Sequence, residues 1–163
     1  MRKNVIGPIA AGILLGAMGT ATAAIQTTTF TVSAVVAANC SVGASNLSFG
    51  SYDASVALTS TADIDVRCST GTPYTVSLSA GSSGDSAART LEAGANTLAY
   101  NLYLDAAHST VWDATNLDNG TGLGMSIGNE ITHTVYGLLP NTAANQDAPV
   151  GNYSDLITVT VEY

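Results

Sequence analysis

The sequence predicts an antiparallel β-sandwich. Several stretches alternate apolar and polar residues with a period of two, as in Ile64–Cys68 and Tyr74–Ala80. Turn residues separate these stretches, and none shows a sustained helical period with caps. About seven short strands with turns between them are typical of a sandwich, and a closed barrel is the alternative architecture.

The alternation also suggests where the strands lie. The strand before Pro73 and the strand after it are joined by a short Gly-Pro link, which predicts a hairpin. The final stretch has the clearest alternation, and its inner face carries Tyr153, Asp155, Ile157, Val159, Val161 and Tyr163. The predicted strands are Val32–Cys40, Leu47–Phe49, Ile64–Cys68, Tyr74–Ala80, Leu98–Leu104, Val111–Trp112, Met125–Ile127, Ile131–Leu138 and Tyr153–Tyr163.

The N-terminal segment has the pattern of a cleaved export signal. Arg2 and Lys3 precede an apolar run over residues 5–18, and Ala21–Ala23 forms a small-x-small cleavage site. The apolar run is shorter than the roughly 20 residues that span a bilayer. We therefore expect a signal peptide over residues 1–23, cleavage after Ala23, and no membrane insertion of the mature chain.

Export places the two cysteines in an oxidising compartment. Cys40 and Cys68 are then expected to form an intramolecular disulfide. Free thiols or metal ligands are the alternative, which the lack of a Cys-x-x-Cys pair disfavours.

The charge balance is strongly acidic. The whole chain has a net charge of −8, and loss of Arg2 and Lys3 with the leader brings the mature chain to about −10. The mature chain contains no lysine, and its cations are Arg67 and Arg89. Such a surface repels phosphate backbones, so we expect no nucleic-acid partner.

The sequence predicts no catalytic, cofactor or metal site, so we expect no enzyme. Gly124–Gly128 matches Gly-x-Ser-x-Gly, but no helix pattern follows, and His133 precedes Asp155 in the wrong order for that hydrolase fold. His108 and His133 stand alone, and His133 is interpreted as a packed histidine in a strand. The acidic and amide residues of 113–119 do not fit a calcium loop and are interpreted as a turn.

Six blocks, in order along the chain, resemble the spore coat protein U domain family, which includes subunits of archaic (alternate) chaperone–usher pili. The final block resembles the C-terminal signature of that family. The blocks are Cys40–Val42, Val66–Tyr74, Arg89–Leu91, Leu98–Ala107, Val135–Gly137 and Gly151–Tyr163.

The resemblance implies an immunoglobulin-like sandwich that lacks its last strand, with a hydrophobic groove in its place. A periplasmic chaperone would fill the groove first, and the N-terminal donor strand of the next subunit would then replace it. The expected organisation is a leader over 1–23, a donor extension over 24–33 and a sandwich domain over 34–163. The expected donor residues are Ile25, Thr27, Thr29, Phe30 and Val32, and the expected groove residues are Tyr153, Ile157, Val159, Val161 and Tyr163.

The function implied by the resemblance is a structural subunit of a secreted pilus, used for adhesion or biofilm formation. Its partners would be the chaperone, an outer-membrane usher and neighbouring subunits, and it would reach the cell surface through the periplasm. A spore- or cell-coat protein is the first alternative. The second is a small carbohydrate-binding module that uses exposed Trp112 and Tyr103 as stacking surfaces.

Overall fold

The computed structural model describes residues 22–163. The predicted leader therefore lies outside the described residues, except for its last two positions. The chain divides into two units, residues 1–34 and residues 35–163. The strands of the second unit are β1 Cys40–Ala44, β2 Leu58–Cys68, β3 Pro73–Leu78, β4 Thr90–Ala93, β5 Asn96–Ala99, β6 Asn101–Tyr103, β7 Asp118–Thr121, β8 Ile131–Leu139 and β9 Val159–Glu162. A 3₁₀ turn over Gly81–Ser83 and a short helix α1 over Ala143–Gln146 complete the elements.

The strands form two main sheets and a small ribbon. The larger sheet has the order β1-β2-β8-β6, the second sheet has the order β7-β3-β9, and β4 pairs with β5. Every paired ladder is antiparallel. In the central pair, β2 runs from Leu58 opposite Leu139 to Val66 opposite Ile131.

The core lies between the inner faces of the two main sheets. Alternation buries Ile64, Val66 and Cys68 of β2, and it also buries Tyr74, Val76 and Leu78 of β3. The antiparallel sandwich predicted from the alternation is therefore confirmed. Since the strands separate into distinct sheets, the closed barrel is not the architecture of the described residues.

The predicted disulfide joins Cys40 to Cys68. These residues face each other at the first position of the β1–β2 ladder. The bridge closes a loop with a sequence separation of 28, which on a chain-entropy model stabilises the fold by about 3–4 kcal/mol.

The predicted hairpin of the strands on either side of Pro73 is wrong. β2 pairs with β1 and β8, whereas β3 pairs with β7 and β9 in the other sheet. Both strands have an apolar inner face, and each face is covered by the opposite sheet. The link over residues 69–72 therefore crosses between the sheets, and Gly71 adopts a positive φ of 78° in this link.

The prediction of a first strand over Val32–Cys40 is also wrong. Residues 22–39 contain no strand, and β1 begins at Cys40. The partner strand β2 ends at Cys68, opposite Cys40, and the chain then leaves that sheet. The residues just before Cys40 therefore have no strand to pair with. They contact Ser69 instead, whose N–H donates to the Asn39 carbonyl at 2.9 Å and whose hydroxyl lies 3.4 Å from the carbonyls of Ala37 and Asn39.

Other predicted strands are shorter or differently placed. Leu47–Phe49 and Met125–Ile127 form no strand, and β9 occupies only the end of the predicted strand Tyr153–Tyr163. The predicted strand Leu98–Leu104 is split at Tyr100, because its first half pairs with β4 and its second half with β8. Strands β4 and β7 lie in segments where we predicted none. Over residues 22–163, no helix has the length and apolar character needed to cross a membrane.

Candidate functional site: an open cleft between the sheets

An open cleft of about 1110 Å³ separates one edge of each main sheet. One wall is the segment 44–54, which follows β1, and the other is the segment 148–159, which leads into β9. The cleft runs along the sandwich where a further strand would complete it. The cleft therefore lies at the edge where the two sheets do not meet.

The floor of the cleft is the apolar core itself. Side chains from the inner faces of both sheets line it, and the ring of Phe49 in one wall packs edge-on against Tyr100 at a centroid distance of 6.2 Å. In the same wall, Leu47 packs over Gly137, where a Cβ would lie 2.8 Å from the Leu47 side chain. The floor residues are Ala62, Ile64, Leu78, Leu98, Tyr100, Leu102, Val135 and Leu139.

The cleft is flanked by unpaired strand edges. Among residues 22–163, β1 pairs only with β2 and β9 pairs only with β3. The residues between Ser154, which bridges to Glu92, and β9 also form no ladder on the cleft side. An unpaired edge exposes backbone N–H and C=O groups that can bind another extended chain. These strands reach the cleft at Ala44 and Val159, beside an apolar floor, which is an arrangement that can accept a β-strand.

The structure brings three of the predicted groove residues together and separates the other two. Tyr153, Ile157 and Val159 line the cleft. Val161 packs against the core outside the cleft, and Tyr163 is 61% exposed at the chain end. Residues of the opposite wall, including Tyr52, were not predicted as part of the site. The alternation over Leu47–Phe49 was the signal that could have identified that wall.

A carboxylate anchors the second wall of the cleft. Asp155 accepts hydrogen bonds from the Tyr100 hydroxyl at 2.7 Å and from the N–H and hydroxyl of Ser82 at 2.8 Å each. Gly81, with a φ of +68°, allows this approach, because a Cβ there would lie 2.0 Å from Asp155 Oδ2. Burial raises the pKa of Asp155, but the hydrogen bonds from Tyr100, Ser82 and Leu156 outweigh it and hold that pKa below its ordinary value.

Replacing Asp155 by asparagine is expected to lower the free energy of unfolding by about 2 kcal/mol at pH 7, because hydrogen bonds to a charged acceptor are lost. The pKa of the Asp155 carboxyl is about 4 in the unfolded chain and lower in the folded protein. The carboxylate therefore stabilises the fold above its unfolded pKa. This stabilisation is lost as the pH falls through the folded pKa. The difference between the two proteins should therefore shrink toward pH 3 in urea titrations. Exposed Asp147→Asn is the control and should change little. An equal loss at both pH values would contradict the anchor.

Trp112 is fully buried, so it cannot act as an exposed stacking surface. Its indole N–H donates to the Val76 carbonyl at 3.0 Å, and its own carbonyl accepts from Arg89 at 2.8 Å. The carbohydrate-binding alternative named Trp112 and Tyr103 as exposed aromatic residues; this is wrong for Trp112, whereas Tyr103 is half-buried. The reason is that Trp112 fills the space between the sheets.

Arg89 is a buried cation held by carbonyl groups. It has no exposed surface and donates to the carbonyls of Ser79, Ser86 and Trp112 and to Asn101 Oδ1. Burial lowers the pKa of its guanidinium. The sequence marked Arg89 only as part of a family block, and the structure shows that it joins four separate chain segments.

The remaining polar motifs lie in a strand, a turn and a loop. His133 is buried, with Nε2 2.9 Å from the Tyr74 hydroxyl and Nδ1 2.7 Å from Asp118 Oδ2. Asp113 accepts from the N–H groups of Thr115 and Asn116 in a turn. Gly124–Gly128 lies in the loop between β7 and β8. Residues 22–163 contain no group of three or more His, Cys, Asp or Glu side chains that could hold a metal ion.

The segment before β1 is exposed and apolar. Phe30 is 87% exposed, and residues 22–39 form no strand. Of the predicted donor residues, Ile25, Thr27 and Thr29 share one face of an extended chain, and Phe30 and Val32 share the other. All five are exposed. The exposed large apolar residues of the segment are Ile25, Phe30, Val32, Val35 and Val36.

The fold and the cleft define an immunoglobulin-like β-sandwich that lacks a strand, which is the pilin-type fold. The Spore Coat Protein U domain family matches residues 26–160, and the chain belongs to this family.

The fold is similar to that of a chain in a solved structure. It is the crystal structure of the CsuC-CsuE chaperone-tip adhesion subunit pre-assembly complex from the archaic chaperone-usher Csu pili of Acinetobacter baumannii. The similarity has a TM-score of 0.54 and 23% sequence identity, and it covers 78% of this chain and 40% of that chain. The chain thus spans less than half of the length of the chain it matches. A comparison with curated proteins gave no match.

Proposed function

We propose that this protein is a structural subunit of a chaperone–usher pilus and polymerises by donor-strand exchange. The observation that carries the proposal is the pairing of two features in one chain. A cleft with an apolar floor lies where the sandwich lacks a strand. A segment with exposed apolar side chains and no strand partner precedes β1. The segment of one subunit fills the cleft of the next, and repetition of this contact builds an open fibre.

The inserted face is the one that carries Phe30 and Val32. Residues 32–39 form no strand of their own subunit, so the donor extends beyond position 33. On this face, Ala34 and Val36 continue the alternation, whereas the face of Ile25 continues with Thr27, Thr29 and Thr31. An apolar floor favours the first face. Ile25, Thr27 and Thr29 are therefore assigned to the solvent side of the donor strand.

The energy of this contact is large enough to hold a fibre. Burial of Phe30, Val32 and Val36, at roughly 1.5–3 kcal/mol each, supplies on the order of 5–9 kcal/mol. Main-chain hydrogen bonds to the two free edges add to this and fix the register. The sum is comparable to the whole stability of a small domain, so an empty cleft leaves the subunit only marginally stable.

The partners follow from the same cleft. A periplasmic chaperone occupies it before assembly, an outer-membrane usher passes the subunits outward, and neighbouring subunits occupy it in the fibre. The matched structure is a complex between a chaperone and a pilus subunit, which supports the first of these partners. The protein is thus exported through the periplasm to a surface fimbrium, where it serves adhesion or biofilm formation without enzymatic activity.

A peptide of residues 24–38 is expected to bind a subunit that lacks residues 24–36. When the free peptide concentration is 100 times the dissociation constant, binding stabilises the subunit by about 2.7 kcal/mol. This corresponds to a rise in Tm of about 5–10 °C. Differential scanning calorimetry measures this. The control peptide carries Phe30→Asp and Val32→Asp.

Two outcomes would contradict the proposal. The first is an unchanged Tm at saturating wild-type peptide. The second is an equal rise with the control peptide. A coat protein that uses the sandwich without fibre assembly would give the first outcome, and electron microscopy of the mature chain would then show no fibres.

A further inference from the structure

The outer face of the larger sheet carries two tyrosines side by side, which we call the tyrosine pair. Tyr136 of β8 lies directly opposite Tyr103 of β6. Both side chains point away from the cleft, because their neighbours Val135 and Leu102 line its floor and side chains alternate along a strand. Residues directly opposite each other have Cβ atoms about 5 Å apart. The two rings therefore form one aromatic patch on the outside of the sandwich.

The tyrosine pair is packed in place, but its polar ends remain available. Both side chains are half-buried. The ring of His108 packs edge-on against Tyr103 at a centroid distance of 5.2 Å, and His108 has a φ of 55°, which non-glycine residues seldom adopt. Within residues 22–163, neither hydroxyl of the pair has a hydrogen-bond partner, whereas the Tyr100 hydroxyl donates to Asp155. The pair can therefore stack against a ligand and also hydrogen-bond with it.

Two carboxylates lie on the same face, one strand away, and we call them the carboxylate pair. Asp63 and Asp65 of β2 lie opposite Thr134 and Thr132 of β8. The threonine hydroxyls donate to Oδ1 of each aspartate, at 2.9 Å and 2.6 Å. In the described part of the chain, Oδ2 of each aspartate accepts no hydrogen bond. Asp63 is a diagonal neighbour of Tyr136, about 7–8 Å away, so one ligand can contact both pairs.

The charges near this face favour a cationic ligand. Of the two arginines of the mature chain, Arg89 is fully buried, and Arg67, at the end of the same face, pairs with Glu130. The net charge of the mature chain is near −10. Carboxylated or sulfated sugars would therefore be repelled. An ammonium group would be attracted both by the carboxylate pair and by the faces of the tyrosine rings.

The main chain beneath the tyrosine pair is already hydrogen-bonded on both sides. Strand β8 lies between β2 and β6. The outer edge of β6 is also occupied, since the Leu104 N–H donates to the Thr110 carbonyl and the Trp112 N–H donates to the Leu102 carbonyl, both at 3.0 Å. A peptide therefore cannot add as a strand here. Recognition falls to side chains alone, and a sugar ring offers them an apolar face and hydrogen-bonding groups together.

We propose that this face binds chains of amino sugars with free ammonium groups. The tyrosine pair stacks on the apolar face of a sugar ring, and the carboxylate pair binds the ammonium group of that ring or of the next one. The site goes beyond the proposed function, because it uses neither the cleft nor the donor segment. In the proposed fibre it repeats on every subunit, so that many weak contacts hold one polysaccharide.

Isothermal titration calorimetry of the full mature chain tests the class of ligand. The probe is a hexamer of β-1,4-linked glucosamine at pH 6, where its amines are charged. The N-acetylated hexamer has the same backbone without the charge, and hexalysine has the charge without the sugar. The affinity for the glucosamine hexamer is expected to exceed both others by at least tenfold. Equal affinity for the N-acetylated hexamer would overturn the ammonium assignment, equal affinity for hexalysine would overturn the sugar, and no binding at all would overturn the site.

Two double variants test the residues. Tyr103→Val with Tyr136→Val is expected to lower the affinity for the glucosamine hexamer about tenfold, since both ring contacts are lost while the β-branched residue suits a strand. Asp63→Asn with Asp65→Asn removes no buried side chain and is expected to lower it by a similar factor. Circular dichroism checks that both variants are folded. Unchanged affinity in either variant would overturn the site.

The matched control is Asp85→Asn with Asp147→Asn, which removes the same charge from exposed loop positions. This control is expected to bind the glucosamine hexamer as the wild type does. A loss equal to that of the carboxylate pair would show that only net charge attracts the ligand, which would overturn the site. Electron microscopy of the same proteins measures fibre assembly separately, so a failure of this site is distinguished from a failure of the proposed function.

Discussion

Replacing Phe30 and Val32 by aspartate is expected to abolish fibre assembly and to leave the subunit folded. Each substitution removes about 1.5–3 kcal/mol of apolar burial from the inserted donor face. It also places a carboxylate in an apolar cleft without a partner, at a cost of several kcal/mol. Together these effects exceed 8 kcal/mol, which corresponds to a loss of affinity of about a millionfold.

The matched control places the same two charges on the other face. Thr29→Asp with Thr31→Asp changes the net charge equally, but these side chains lie on the solvent side of the proposed donor strand. Sedimentation and electron microscopy should show fibres for this control and only monomers for the first variant. Assembly of the first variant, or failure of the control alone, would show that the opposite face enters the cleft.

Replacing Arg89 by methionine is expected to lower the free energy of unfolding by about 3–5 kcal/mol, because it leaves buried acceptors without donors. The affected acceptors are on Ser79, Ser86, Asn101 and Trp112. Stability on this scale is a large fraction of the total for a small domain. Urea unfolding at pH 7 measures it.

The second arginine of the mature chain provides the control. Arg67→Met makes the same chemical change at a half-exposed ion pair with Glu130, where the expected loss is about 0–1 kcal/mol. Equal losses of unfolding free energy in the two variants would indicate that the buried hydrogen bonds of Arg89 contribute no more than an exposed ion pair does. A loss at Arg89 several times larger would support its role in joining the loops.

The residues that alternate cleanly could be predicted from the sequence, and the pairing of the strands could not. Ile64, Val66 and Cys68 are buried as their period of two requires. The same pattern does not tell which strand pairs with which, because an apolar face is buried equally well in either sheet. The link after Cys68 was therefore predicted as a hairpin, although it crosses between the sheets.

Only one wall of the cleft was predicted from the sequence. The apolar alternation of Tyr153, Ile157 and Val159 marked one wall. The alternation of Leu47 and Phe49 could have indicated the other wall, but the sequence analysis assigned these residues to a short strand and not to the groove. Asp155 was assigned correctly to the inner face, but its hydrogen bonds to Ser82 and Tyr100 depend on contacts across more than 50 residues, which no local pattern encodes.

The disulfide also determines how a fibre of such subunits carries mechanical load. In the proposed fibre, tension passes from the donor strand through Ala37–Asn39 into Cys40, the first residue of β1. The bridge passes that force directly to Cys68 and so to β2, an interior strand paired on both sides. The edge ladder between β1 and β2 is thereby bypassed, and a pull on the fibre does not unzip the sheet from its edge.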